Sequence, residues 1–284
     1  MNNKIIQILD IPFTALSSEA ILDLIKENFQ KSKQPTFLAT PNPEILLESQ
    51  KNAQLKKILQ QTTLNLPDGN GLIWANLFLE KTKSHTNKLA ILIIGVSSLI
   101  AFLWHKKSTH KPFNQAIHGS DFTLKICSTP ELSNRAFFLL GNQNGLTATP
   151  AQSAAAKLQK HHPKLNIVGA VDSTPTEKTL LHQINQSGAE ILFVGFGAPH
   201  QEIWLAQNLP HLKTIKLAIG IGGTFDFINN TLPRAPLLMR KIGLEWLWRL
   251  YIQPKRLKRI INATLVFPYT IIKNRLNHQP PGKS

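Results

Sequence analysis

Two short stretches carry polar, chemistry-bearing side chains at the ends of apolar runs. "ATPNPE" follows residues 36–39 and brings Thr40 and Asn42; "LPDGNG" follows residues 63–66 and brings Asp68. Three glycine-bearing loops close other apolar runs: "GNQNG" after 136–140, "GAPHQE" after 191–196 and "GGTFD" after 216–221. Glycine lets a phosphate or ribose approach the backbone, and a helix N-terminus offers N–H groups to an anion. A tight strand–helix turn needs glycine in any case, so one such loop says little. Three of them in one sheet point to a bound nucleotide. A carboxylate beside them suits a general base, which can supply roughly two to four orders of magnitude in rate. Asp68 is the first candidate, with Asp121 and Asp226 as alternatives. Asn42 and Asp68 also have plain structural uses, as a helix cap before Pro43 and as a turn residue. His200 is either a phosphate neighbour or an ordinary helix-start residue.

No Asp-x-Asp pair and no His/Cys cluster with ligand spacing occurs in the sequence, so no metal is expected. Charge developing on a leaving group would then fall to helix N-termini and to Arg or Lys.

The elements that must hold these residues alternate. Strands are expected at 5–9, 36–39, 63–66, 136–140, 166–171, 191–196 and 216–221, with amphipathic helices between most of them, among them Pro43–Gln61 and Pro150–His161. Thr149 is placed to cap the second of these helices, and Pro150 and Pro199 stand at helix starts. Short apolar runs separated by helices imply a parallel sheet covered on both faces, with ligands beyond its carboxyl ends. This alternation stops near Asn230. The remainder looks like two helices broken near Pro254. On the second, Leu257, Ile260, Ile261, Thr264 and Leu265 share one face, and Lys255, Arg256, Lys258, Arg259 and Asn262 the other. It reads either as a basic amphipathic helix for a membrane surface or as a core-packed helix with a solvated face. The division expected is a core over 1–230, a basic appendage over 231–276 and a disordered tail over 277–284.

The net charge of +16 calls for an anionic partner. Ten Lys/Arg and one acid, Glu245, lie between Leu232 and Arg275, alongside Trp246, Trp248, Tyr251, Phe267 and Tyr269. Basic residues interleaved with interfacial aromatics suit an anionic membrane surface, and no nucleic-acid motif accompanies them. The single cysteine, Cys127, excludes an internal disulfide framework. "MNNKIIQILDIPFTA" is too short and too acidic for a signal peptide, so retention in the cytoplasm is expected. A different feature is "KLAILIIGVSSLIAFLWHKK", whose residues 89–104 bear no charge. As a helix it would span ~24 Å against a hydrocarbon core of ~30 Å. A single crossing would also separate strands that belong to one sheet. Two readings stay open: a helix dipping into the membrane, bent at "GVSS", or a buried or oligomer-interface helix.

"TPNPEILLESQKN", "LPDGNGLIWA", "FFLLGNQNG", "ILFVGFGAPHQEIW", "IGIGGTFDF" and "RAPLLMRKIGLEWLWRLYIQPKRLKR" together resemble, in order, the blocks of the WecG/TagA/CpsF glycosyltransferases. The resemblance runs from Thr36 to about Val266. It implies a Rossmann-like α/β fold of GT-E type with helices on both faces of the sheet, plus a basic helical C-terminal appendage that binds membrane. It implies a hexosyltransferase that moves a HexNAc-type sugar, ManNAc or its uronate, from a UDP-sugar donor with inversion. The acceptor would be polyprenyl-diphosphate-linked GlcNAc on the cytoplasmic face of the membrane, in teichoic acid or other surface-polysaccharide synthesis. Residue by residue, the proposed base matches Asp68, and its polar partners match Thr40, Asn42 and Gln201. The nucleotide-sugar loops match Gly141, Asn142, Gly195, Gly197, Gly222, Gly223 and Asp226, the last binding the nucleotide or bracing the loop. The phosphate- and lipid-binding arginines match Arg234, Arg240, Arg249 and Arg256. A homo-oligomer is left open.

This chain departs from the family pattern at three places. Ala116 stands where an arginine is common, Asn142 replaces a glycine, and residues 81–115 lengthen a normally short connection. These departures keep a second reading alive: a catalytically impaired homologue that binds nucleotide-sugar or lipid as a scaffold. An NAD(P) oxidoreductase is disfavoured, because no G-x-G-x-x-G follows the first strand.

Overall fold

The computed structural model describes residues 5–32, 34–104, 117–143, 150–229 and 257–277, together with Pro236, Met239, Trp248, Leu250 and Tyr251. The chain opens with an antiparallel hairpin, β1 (Ile5–Ile8) and β2 (Ile11–Thr14). The expected first strand is therefore present, but it stands outside the parallel sheet. Leu9 and Asp10 make the turn at φ 51° and 64°, the left-handed pair that a two-residue hairpin requires. Asp10 is held against the following layer by Lys56 at 2.8 Å and by Gln60, which donates to its carbonyl.

Helix α1 (Ser18–Lys31) starts on the Ser17 hydroxyl and buries Ile21, Leu22 and Ile25. Then come β3 (Thr36–Ala39), α2 (Pro43–Ser49), α3 (Ala53–Gln61) and β4 (Leu64–Asn65). One helix over Pro43–Gln61 is thus corrected to two. Asn52 breaks the run, because its side chain accepts from Leu55 N and caps a new start. Helices α4 (Asn70–Thr82) and α5 (Lys88–Trp104) follow, then α6 (Gly119–Ser128) and the short α7 (Pro130–Ser133). The second half alternates: β5 (Phe137–Asn142), α8 (Ala151–His161), β6 (Ile167–Ser173), α9 (Leu180–Ser187), β7 (Ile191–Val194), α10 (His200–Asn208), β8 (Leu217–Gly220) and α11 (Thr224–Ile228).

The sheet is parallel, in the order β4-β3-β8-β7-β5-β6. Strands β3, β5, β7 and β8 are buried along their whole length, as strands covered on both faces must be. On one face α1, α6 and α8 pack over Leu38, Leu139, Phe193 and Ile219. On the other, α9 and α10 pack over Phe37, Leu140, Val194 and Ala218. Helices α8 and α10 leave neighbouring strands β5 and β7 on opposite faces. Their connections run toward opposite edges, which is the topological switch point of an open α/β sheet.

The C-terminal part is α12 (Leu257–Ile261), a π-turn over Asn262–Val266 and α13 (Phe267–Asn277). Leu257, Ile261 and Leu265 are exposed, so this apolar face does not pack on the core. Beyond the π-turn the helix joins the core: Phe267, Ile271 and Ile272 are buried with Trp74, Phe78, Ile91 and the hairpin. Arg275, itself buried, donates to the carbonyls of Thr82 and His85 at 2.6 and 2.8 Å. The last carbonyl of α4, and one in the turn after it, are thus met by a cation, which also suits the helix dipole. Helix α5 is unbroken through "GVSS", whose small residues serve packing rather than a bend. Gly95 leaves room for Ile272 and Phe78, and Ser98 accepts from the Trp74 indole at 3.2 Å. The break near Pro254 and the tail beyond Asn277 lie outside the described residues.

Candidate active site

The carboxyl ends of β3, β4 and β8 meet in one place. From β3 the chain turns through Thr40 and Pro41 into α2. Asn42 caps that helix, its Oδ1 accepting from Glu44 N and Ile45 N, both at 3.0 Å. The capping use of Asn42 is therefore realised. From β4 the chain reaches Asp68, whose backbone N–H donates to Pro41 O at 3.2 Å. Gly69, at φ 96°, then admits the chain to α4. Thus Asp68 stands just before α4.

A third segment is drawn in by backbone pairing. Ile117 N donates to Pro67 O at 2.9 Å. That bond lays 117–118 beside the end of β4 and brings His118 Nδ1 to 3.5 Å from Asp68 Oδ1. The Asp68 side chain is 28% exposed, so it is shielded yet reachable. Gly119 follows, and a Cβ there would lie 3.0 Å from Thr40 Oγ1. Glycine lets α6 begin this close to Thr40 without crowding its side chain. The Thr40 hydroxyl points to Gly220 O at the end of β8, 3.5 Å away.

Gln201 joins this group to the switch point. Its Oε1 accepts from Gly197 N at 3.2 Å and from Gly222 N at 2.9 Å. One buried carboxamide thereby pins the loop after β7 to the loop after β8. Both glycines have positive φ, 78° and 52°, and Gly220 has no side chain because the Gln201 amide fills that space. The amide nitrogen donates to Glu202 Oε1 at 2.8 Å. Glu202 is buried, and its Oε2 has no hydrogen-bond partner. Burial pushes its carboxyl above the ordinary 4.5, against the lowering effect of the Gln201 bond. A carboxyl raised in the fold contributes stability that is complete below its unfolded value. That contribution is lost as pH rises toward the folded value. Glu202→Gln is therefore expected to match the native protein in the acid range. It should become progressively the more stable as pH climbs past about 4.5, seen as diverging urea midpoints.

Gly141 and Asn142 end β5 and are buried; Gly195 follows β7 and donates to Leu140 O. Gly223 and Asp226 open α11. The start of α8 is not vacant for an anion: Asp172 of β6 accepts from Ala151 N at 2.5 Å. Asp121 is exposed in the first turn of α6, and His200 is exposed at the start of α10. Arg234, Arg240, Arg249, Arg256, Ala116 and Thr149 lie outside the described residues. Among the described residues, no three His, Cys, Asp or Glu side chains cluster as metal ligands.

Sequence reasoning missed His118, Glu202 and Glu44. Glu44, two residues after Asn42, binds Arg259 Nε at 2.6 Å and so ties α12 to the site. For His118 a signal existed, a histidine immediately before the glycine of "HGSD". For Glu202 there was none, because acids in a first helical turn are ordinary.

A half-buried carboxylate thus lies beside an imidazole at the carboxyl ends of the strands, where open α/β sheets take their ligands, with two glycine loops tied together next to it. Comparison with known proteins gives the class. The profile of the Glycosyl transferase WecG/TagA/CpsF family matches residues 6–92 and 90–281, two stretches that meet inside α5. The chain therefore belongs to this family. Among curated relatives, the N-acetylglucosaminyldiphosphoundecaprenol N-acetyl-beta-D-mannosaminyltransferase of Bacillus subtilis (strain 168) is 24% identical over 94% of the chain and 91% of the relative. The protein of the same name from Bacillus spizizenii (strain ATCC 23059 / NRRL B-14472 / W23) is 24% identical over 99% and 95%. That from Staphylococcus aureus (strain MRSA252) is 25% identical over 96% and 94%.

Proposed function

We propose that this protein transfers an N-acetylmannosamine-type sugar, ManNAc or its uronate, from a UDP donor to a polyprenyl-diphosphate-linked GlcNAc. The observation that carries this reading is Asp68, half-buried at the end of β4 with His118 at 3.5 Å and Thr40 alongside. Asp68 takes the proton of the acceptor hydroxyl as that oxygen attacks the anomeric carbon. The bond to the UDP oxygen breaks in the same displacement, so the configuration inverts. The beta linkage in the relatives' printed name agrees with inversion of an alpha-linked nucleotide sugar. The glycine loops tied by Gln201 hold the donor, and basic groups of the C-terminal segment neutralise the departing diphosphate. No resident metal takes part in this reading. The setting is the cytoplasmic face of the cell membrane, where the acceptor's lipid would be anchored. There the exposed Leu257, Ile261 and Leu265, with Lys258 and Arg259 on the same helix, suit peripheral or monotopic attachment.

The test is UDP release by the solubilised protein, offered a panel of UDP-sugars and a short polyprenyl-diphosphate-GlcNAc, with and without chelator. Acceptor-dependent release with one donor, unaffected by chelator, is the expected result. Release that chelator abolishes would sink the metal-free mechanism. UDP binding without release for any donor would favour the scaffold reading, for which Asn142, buried where the family has glycine, is the motivating observation.

A further inference from the structure

Helix α5 leaves a long apolar face uncovered. Leu89, Leu92, Ile93, Val96 and Ile100 are 64, 43, 59, 48 and 55% exposed. Their spacing places them along one stripe of the helix. The other side is built into the fold, with Ile91 buried and Gly95 against Ile272 and Phe78. Isolated exposed hydrophobics are ordinary on any surface, but a contiguous row marks an interaction site. The neighbouring C-terminal helix, packed on α5, adds exposed Val266 and Tyr269.

The charge around this face is one-sided. Lys81, Lys83 and Lys88 are exposed at its start, and Lys273 is exposed on α13 with its ammonium over the Tyr269 ring. Glu80 is the one acid between Asn70 and Trp104, and 257–277 contains none. A cleft of ≈ 450 Å³ between α4 and α5, lined by Lys81, Ile94, Ser97, Ser98 and Ala101, places Lys81 against the adjoining face of the same helix.

We propose that the exposed face of α5 seats in the interfacial layer of an anionic bilayer, with the helix lying along the membrane. Its 17 residues span about 25 Å, short of a hydrocarbon core of about 30 Å. No helix among the described residues is long and apolar enough to cross a membrane. The parts of the chain before and after α5 contribute strands to the same sheet, so both remain on one side. Anionic headgroups complement the lysine rim, whereas a second copy docked face to face would bring two lysine rims together. Since α4 begins two residues after Asp68 and packs against α5, a seated α5 fixes how far Asp68 stands from the bilayer. That consequence rests on the lipid-linked acceptor proposed above; the docking itself does not.

The test places an environment-sensitive fluorophore at Val96→Cys in the full chain. The native Cys127 is buried, and burial pushes its thiol up to about 12, so it stays unlabelled. Vesicles of phosphatidylcholine with phosphatidylglycerol are expected to shift the emission to the blue, more than phosphatidylcholine alone. The same dye at Lys160→Cys, exposed on α8, should not respond. The variant Leu92→Gln/Ile93→Gln/Val96→Gln should lose about tenfold in vesicle affinity with its melting curve unchanged. An unshifted label on protein that sediments with vesicles would overturn the proposal. So would vesicle affinity indifferent to the triple substitution, or a dimer in light scattering that this variant converts to monomer. Sugar transfer enters none of these readouts, so failure of the transferase reading and failure of the docking are seen separately.

Discussion

Asp68→Asn is expected to lower kcat by about two to four orders of magnitude while leaving the donor KM near its native value. The substitution keeps the size of the side chain and removes only its capacity to take a proton. Asp68 is held from two directions, through its backbone bond to Pro41 and through the Ile117–Pro67 pairing that delivers His118. Neither uses the carboxylate's proton-accepting role, so the fold should melt as the native protein does. Steady-state kinetics with varied donor at saturating acceptor measures the effect. If this variant supports near-native kcat, the base lies elsewhere, and Asp121 or Asp226 would be examined next. His118→Gln, made in parallel, separates a partner from a base. It should cost less than Asp68→Asn.

The second large effect has the opposite signature. Gln201→Leu keeps the volume of the side chain but leaves Gly197 N and Gly222 N without their shared acceptor, and Glu202 Oε1 without its donor. A buried polar group left unsatisfied costs about 1–3 kcal/mol; Gly197 and Gly222 are only partly buried, so water meets part of the loss and about 2–4 kcal/mol in all is expected. The loops proposed to hold the donor would then no longer be tied together, and donor KM should rise more than kcat falls. Urea unfolding and donor titration read the two parts. Native stability with an unchanged KM would mean that the carboxamide does not organise the loops.

The buried strands were legible because "FLA", "FFLL", "ILFV" and "LAIG" are short apolar runs bounded by turn residues, and only a covered parallel sheet buries such runs on both sides. Thr40, Asn42, Asp68 and Gln201 were legible as strand-end residues, and all four lie at the carboxyl ends of the sheet. The sequence did not reveal the hairpin. Pro12 removes a ladder donor and made 11–14 look unlike a strand, while its partner 5–8 looked like any other strand. Nor did it show His118 beside Asp68, because that contact joins residues fifty positions apart through one backbone bond, Ile117 to Pro67. The fate of 89–104 was ambiguous for a physical reason. A helix that is apolar all round can bury either side, and only the fit of Gly95 against Ile272 selects which. The C-terminal helix was read as one amphipathic stripe. The π-turn at 262–266 divides it into an exposed apolar part and a part that completes the core.

The pairing of β3 with β8 has a consequence for how the chain comes into being. These strands are neighbours in the middle of the sheet, yet Thr40 and Gly220, at their ends, are 180 positions apart. The core beneath α5 is closed later still, by Phe267 and Ile271. At a translation rate of about 5–20 residues per second, roughly ten to forty seconds separate the synthesis of β3 from that of its central partner. Through that interval the nascent chain carries β3 with one side open and α5 with both sides wet. The ribosome-bound protein, rather than the finished one, is the state in which this topology is most vulnerable to aggregation, and where an early encounter with a membrane or a chaperone would protect it most.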